Sequence, residues 1–156
     1  MKSKEQLVEE LSAIIPFVES LREVDDEVWT APLGEGKWSV RDILSHILLW
    51  DKYILEEALS KIVAGKPVTI RHLAFDEFNE GAIEYGKSKP RREIIDEAVD
   101  RRKGILDCLR QIPPKDYSRV YSGLDREFIV QGYARHFIIH DSSHMRQIEG
   151  FLEMQG

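Results

Sequence analysis

A single cysteine, Cys108, is all that the 156-residue chain offers to thiol chemistry. No intramolecular disulfide can form and no thiolate cluster can hold a metal, a usage that suits a reducing cytoplasm. Long apolar runs are missing too. Nothing approaches the roughly 20 residues of a membrane span, and the N-terminal MKSKEQLVEELSAIIPF alternates charge with apolar residues where a signal peptide needs a continuous apolar core. Positive charge is in deficit, with 22 Lys and Arg against 28 Asp and Glu for a formal charge of -6. That balance disfavours a surface that tracks nucleic-acid phosphates and leaves small molecules or proteins as partners. There is no internal repeat, low-complexity tract or separating linker, so residues 1–156 are expected to form one cytoplasmic domain around one core.

What the chain does contain is helical periodicity. Ser3, spaced S-x-x-Q to Gln6, opens a first helix that carries Leu7, Leu11, Ile14, Ile15, Val18 and Leu21 at helical intervals and stops near Val24. DDEVWTAPLGEGKW reads as a connecting loop anchored by Trp29 and Trp38. Ser39, with Asp42 three residues on, restarts a helix that runs to Gly65. KPVTIRHLAFDEFNEGAIEYGKSK is a crossover in which FDEFNEGAIEY forms a short helix. Pro90 suits the first turn of a third long helix, which ends before Pro113 and Pro114. A last helix begins between Arg126 and Val130, and no strand is expected. The fold class is therefore all-α, a four-helix bundle with long crossover connections.

Within that frame, HDSSH at 140–144 places two imidazoles one helical turn apart. Positions four apart differ by about 40° around the axis and about 6 Å along it, chelating distance for one ion. Phe137, His140, His144, Ile148 and Phe151 form the stripe that a bundle helix turns inward. Such pairs also occur on solvated faces, where they do nothing. Buried without partners, however, they cost on the order of 2–7 kcal/mol per unsatisfied polar group, and a metal ion satisfies them. His46, beside Ile43, Ile47 and Trp50, offers a third nitrogen from the second helix, as bundles build internal metal sites. His136 adds another step of four, but it and His144 lie about 12 Å apart along the axis. The pair is thus His136 with His140 or His140 with His144. His136 shares a more polar flank with Tyr133, Ser143 and Gln147 and reads as a pocket-edge residue, and His72 reads as a surface residue with a ligand role as the alternative.

Other polar candidates have structural readings. Asp141 rotates off the metal face toward solvent or a helix salt bridge, and Asp51 points to a different side from His46. Asp42 either orients the His46 ring or caps the helix. Tyr53 and Tyr133 line the pocket mouth or belong to the core. Cys108, among Ile105, Leu109 and Ile112, reads as a small buried hydrophobe, and RREIIDEAVDRRK as a charged helix face. No general base is identified.

GKWSVRDILSHILLWDKYI, followed nearly a hundred residues later by HDSSHMRQIEGFLE, resembles the DinB-like (YfiT-like) superfamily over essentially the whole chain. Trp38, Ser39 and Val40 match its approach to the second helix. The resemblance implies that His46, His140 and His144 hold a divalent metal, nickel or zinc, in an up-down-down-up bundle that forms homodimers. It departs at Arg146, where members often have glycine. Three protein ligands leave an open position, the mark of a catalytic site. The resemblance implies a thiol S-transferase that conjugates a low-molecular-weight thiol to electrophiles. A metal-dependent hydrolase is the alternative, and the non-enzymatic readings are a small-molecule-binding protein or a stress-response dimer.

Overall fold

The computed structural model describes residues 2–155. Its first rod is α1 (Lys4–Ser12) and α2 (Ile14–Ser20), prolonged by a 3-10 turn over Leu21–Glu23. The capping box is formed: Gln6 N donates to Ser3 Oγ (3.2 Å) and Ser3 N to Gln6 Oε1 (2.8 Å). The rod is not the single helix its periodicity predicts. It breaks at Ala13 because Pro16 has no N–H to offer the Ser12 carbonyl and its ring crowds that oxygen. The following segment, expected to be loop, folds α3 (Asp26–Thr30), which buries Trp29 against the core.

The second rod is α4 (Val40–Ile54), which passes through a π-helical turn at Leu55–Leu59 into α5 (Ser60–Val63). Ser39 and Asp42 form its capping box. Gly65, at φ 70°, closes it in the left-handed conformation that glycine adopts without strain. In the crossover, α6 (Phe75–Lys87) lies against α4 so closely that a Cβ on Gly86 would overlap the Ser45 hydroxyl. The third rod is α7 (Arg91–Gln111) and the fourth α8 (Val130–Gln155). Between them sits a feature the sequence pattern misses, a minimal antiparallel pair of β1 (Tyr121–Ser122) and β2 (Glu127–Phe128). Two residues per strand are too few to show alternation.

Rod directions follow from which residues share a core cluster. Residues 43–48 of α4 pack with 94–99 of α7, and Ile54 to Leu59 with Ile105 to Ile112, so these rods are parallel. The start of α1 packs with the end of α7 and the start of α8, which makes α1 antiparallel to α7 and parallel to α8. The order is up, down, down, up.

The two apolar clusters meet at a polar layer built on Arg102, whose residue is only 1% exposed. Its Nε and Nη2 donate to the two Asp51 carboxylate oxygens (2.9 and 3.2 Å), and Nη1 and Nη2 donate to Asp141 (2.5 and 3.1 Å). Nη1 also donates to the Leu11 carbonyl beside the break in the first rod (2.9 Å). Asp141 is therefore neither solvated nor in a surface pair, and one member of the basic run on α7 is interior rather than part of a charged face. Burial lifts the Asp51 pKa to about 6 against the pull of Arg102. Burial also works against the Arg102 charge, but the two carboxylates outweigh it and hold its pKa well above the ordinary value. Removing the cation leaves two buried carboxylates facing each other, so Arg102→Leu is expected to lose about 3–5 kcal/mol of stability. Combining Arg102→Met with Asp51→Asn and Asp141→Asn recovers most of that loss, as measured by the urea midpoint.

Candidate metal centre

α4 and α8 approach each other mainly through side chains, and three of these are imidazoles. His46 is 6% exposed on the inner face of α4. Trp50 Nε1, which can only donate, gives its hydrogen to Asn79 Oδ1 on α6 (3.1 Å). That bond fixes the Asn79 oxygen as an acceptor, so His46 Nδ1, 2.8 Å from the same atom, carries the ring hydrogen. The lone pair of His46 is thereby on Nε2, which faces His140 Nε2 at 3.0 Å. One turn on, His144 Nδ1 donates to Gln147 Oε1 (2.9 Å), which leaves its Nε2 free as well. One nitrogen from each of His46, His140 and His144 lies within 4.8 Å of the other two.

The surroundings keep these rings neutral. Burial depresses the His46 pKa to about 4, with the Asn79 bond opposing it only in part, and depresses His140 to about 3, aided by its histidine neighbours. His144 shifts the same way, again through burial. Neutral imidazole is the form that ligates. A divalent ion about 2.0–2.1 Å from each imidazole nitrogen sets its donors about 3 Å apart, a spacing that His46 and His140 already have. The buried Nδ1 of His140 has no partner among the described residues, so the site is polar but not self-sufficient. The donor set fits a divalent cation.

A cavity of about 550 Å³ opens beside His46 and His140, between α4 and α6 on one side and β2 and α8 on the other. His136 is part of its wall and stands outside the trio, so the converging pair on α8 is His140 with His144. His72 is exposed in the crossover and also outside the trio. Tyr133 lines the cavity, whereas the Tyr53 hydroxyl is tied to the Arg71 backbone. Asp42 is spent on the helix cap and does not orient His46. Asn79 does that, and sequence reasoning missed it: a lone asparagine inside FDEFNEGAIEY, 33 residues from His46, gives no local signal. Cys108 is buried with its thiol pKa raised by burial, an inert hydrophobe as expected. Arg146 is exposed and donates to Ser142 Oγ (3.1 Å), so the larger side chain does not enter the site.

Comparisons with known proteins agree with this architecture. The structure is similar to that of YfiT from Bacillus subtilis, described as a probable metal-dependent hydrolase with an unusual four-helix bundle topology. The TM-score is 0.76 at 16% identity, covering 100% of this chain and 91% of that one. At that identity the likeness speaks for the fold. No curated protein matches the sequence. The model of the DinB superfamily matches residues 6–148, which includes all three histidines, the whole of α4 and most of α8, and the chain belongs to that superfamily.

Proposed function

We propose that the protein is a metal-dependent enzyme in which His46, His140 and His144 hold one divalent ion, nickel or zinc, and the adjoining cavity admits the substrate. The observation that carries this reading is the convergence of three neutral imidazoles, with nitrogens within 4.8 Å, beside a cavity of about 550 Å³. When bound, such an ion supplies Lewis acidity that acidifies a coordinated thiol or water. The chain's own part is to fix the His46 tautomer through Asn79, the His144 tautomer through Gln147, and to line the approach to the site with aromatic side chains.

For the chemistry itself we favour thiol S-transfer onto an electrophile. The cavity wall is mostly aromatic and aliphatic, which suits an organic electrophile better than a peptide or a sugar. Sulfur forms the new bond to carbon, the leaving group departs with its bonding electrons, and the thiol proton passes to solvent. Hydrolysis is the second reading, favoured by His136, an imidazole in the cavity wall outside the trio that can serve as a base toward an attacking water. Turnover of a thiol and an electrophile by the nickel- or zinc-loaded protein, set against turnover of an ester without thiol, separates the two. Absence of both, with stoichiometric ligand uptake, would identify a binding protein.

Elemental analysis of the untagged protein is expected to find about one divalent ion per chain and near none in His46→Ala or His140→Ala. Asn79→Ala, which frees the His46 ring without removing a ligand, is expected to weaken binding about 10- to 100-fold. The pH dependence has a definite sign. Unfolded imidazoles take up protons near pH 6.5, whereas the folded His46 and His140 resist until about 4 and 3, so between those values the unfolded state binds more protons. Stability of the metal-free protein therefore falls as pH drops from 6.5 toward 4, read from urea midpoints at pH 7.5 and 5. Substituting asparagine for His46 and His140 together flattens the trend.

A further inference from the structure

The cavity has two aromatic walls. Trp50 and Phe75 pack at a tilt of 53°, centroids 5.5 Å apart, on the α4 and α6 side, while Phe128, Tyr133 and Phe137 form a continuous series across β2 and α8 with centroids 5.7 and 4.8 Å apart. Phe75 is 63% exposed, an arrangement that leaves much of its ring without protein cover on the side of the opening. Rings that line two sides of one cavity of about 550 Å³ accept flat, polarisable molecules, which gain offset or edge contacts from them. One cation joins this wall. Arg126 is half-buried, and none of the described carboxylates pairs with it, in contrast to the partnered Arg22, Arg91 and Arg102. Glu127 also reaches the wall, but it is exposed, so solvent and salt screen its charge more than that of Arg126.

We infer that the cavity binds a flat aromatic molecule bearing an anionic group, with the ring system between the two aromatic walls and the anion on the Arg126 guanidinium. This rests on the reading of the cavity as the substrate chamber of the metal centre and assigns that substrate a chemical class. Arg126 acts as a specificity residue, because a planar guanidinium pairs carboxylate or sulfonate oxygens two at a time, and a neutral analogue of the same shape gains nothing from it.

Two fluorescent probes with one skeleton test the inference on the full chain in the presence of a chelator: anilinonaphthalene sulfonate, which is anionic, and phenylnaphthylamine, which is not. Both are expected to bind saturably at one per chain. Arg126→Gln is expected to weaken the anionic dye by about tenfold and the neutral one by less than about twofold, and Phe75→Ser to weaken both. Neither position is buried, so folding is retained and circular dichroism verifies it. Binding that is absent or non-saturable overturns the inference, as does binding insensitive to Phe75→Ser, and an anionic dye unaffected by Arg126→Gln overturns the charge assignment. The titrations contain no free metal, so their outcome is distinct from that of the metal analysis: a chain that takes up no ion yet passes the dye test refutes the metal reading alone.

Discussion

The Arg102 side chain ties all four rods together. Its guanidinium, extended from α7, meets Asp51 on α4, Asp141 on α8 and the Leu11 carbonyl on the first rod. A charge with so little access to water is tolerable only when its donors are matched by acceptors. The matching sets conditions on distant parts of the chain. The first rod must present a carbonyl beside the guanidinium, which it does where Pro16 interrupts the helical ladder. Asp51 and Asp141 must reach adjacent edges of the guanidinium, since both accept from Nη2. Each lies on a helix that carries part of the histidine trio, Asp51 five residues after His46 and Asp141 directly after His140.

The two helices are thus held by one face and free to diverge at another. Toward Arg102 they are pinned by charge-assisted bonds. Toward each other they are spaced by rings: imidazoles at one level, and the aromatic cavity at the next. This explains how a bundle of modest size keeps an open chamber next to a polar site. A fully apolar seam between α4 and α8 would close to remove the void, since each unfilled volume forfeits dispersion contacts. The opening survives because α6 and the β1–β2 hairpin roof it with aromatic side chains, and Gly86 lets α6 settle closely enough on α4 for Asn79 to reach His46.

Much of this was legible in the sequence, and what escaped has a common cause. Local signals carried the rods: the Ser3 and Ser39 caps, Gly65, Pro90 and the Pro113–Pro114 stop all act within a few residues of where they stand. The H-x3-H spacing put His140 and His144 on one face by helical geometry alone, and His46 was conspicuous as a polar residue on an apolar stripe. Asp51, Arg102 and Asp141 failed that test because a charged residue is presumed outside, and only the tertiary fold shows the three of them paired inside. Asn79 failed because its partners lie a crossover away. The break at Ala13 was within reach, since Pro16 stands in plain view, but apolar periodicity on both sides of it masked the missing hydrogen bond. The π turn at Leu55–Leu59 left no mark in composition at all.

The polar layer also bears on why the site forms in one register. Leu and Ile stripes are permissive, because a helix displaced by one turn finds another apolar neighbour at little cost. Arg102 is not permissive. Shifting α8 by one turn carries Asp141 about 5.4 Å along the axis, which strands a carboxylate in the core. The imidazoles alone do not forbid that shift, because His136, His140 and His144 recur every four residues and a one-turn displacement sets His136 and His140 at the levels of His140 and His144. The stability gained from the whole triad over an apolar layer is small, since burying three charges costs nearly what their attraction returns; the larger effect is to select, between two registers that both present an H-x3-H pair to His46, the one that brings His140 and His144 there.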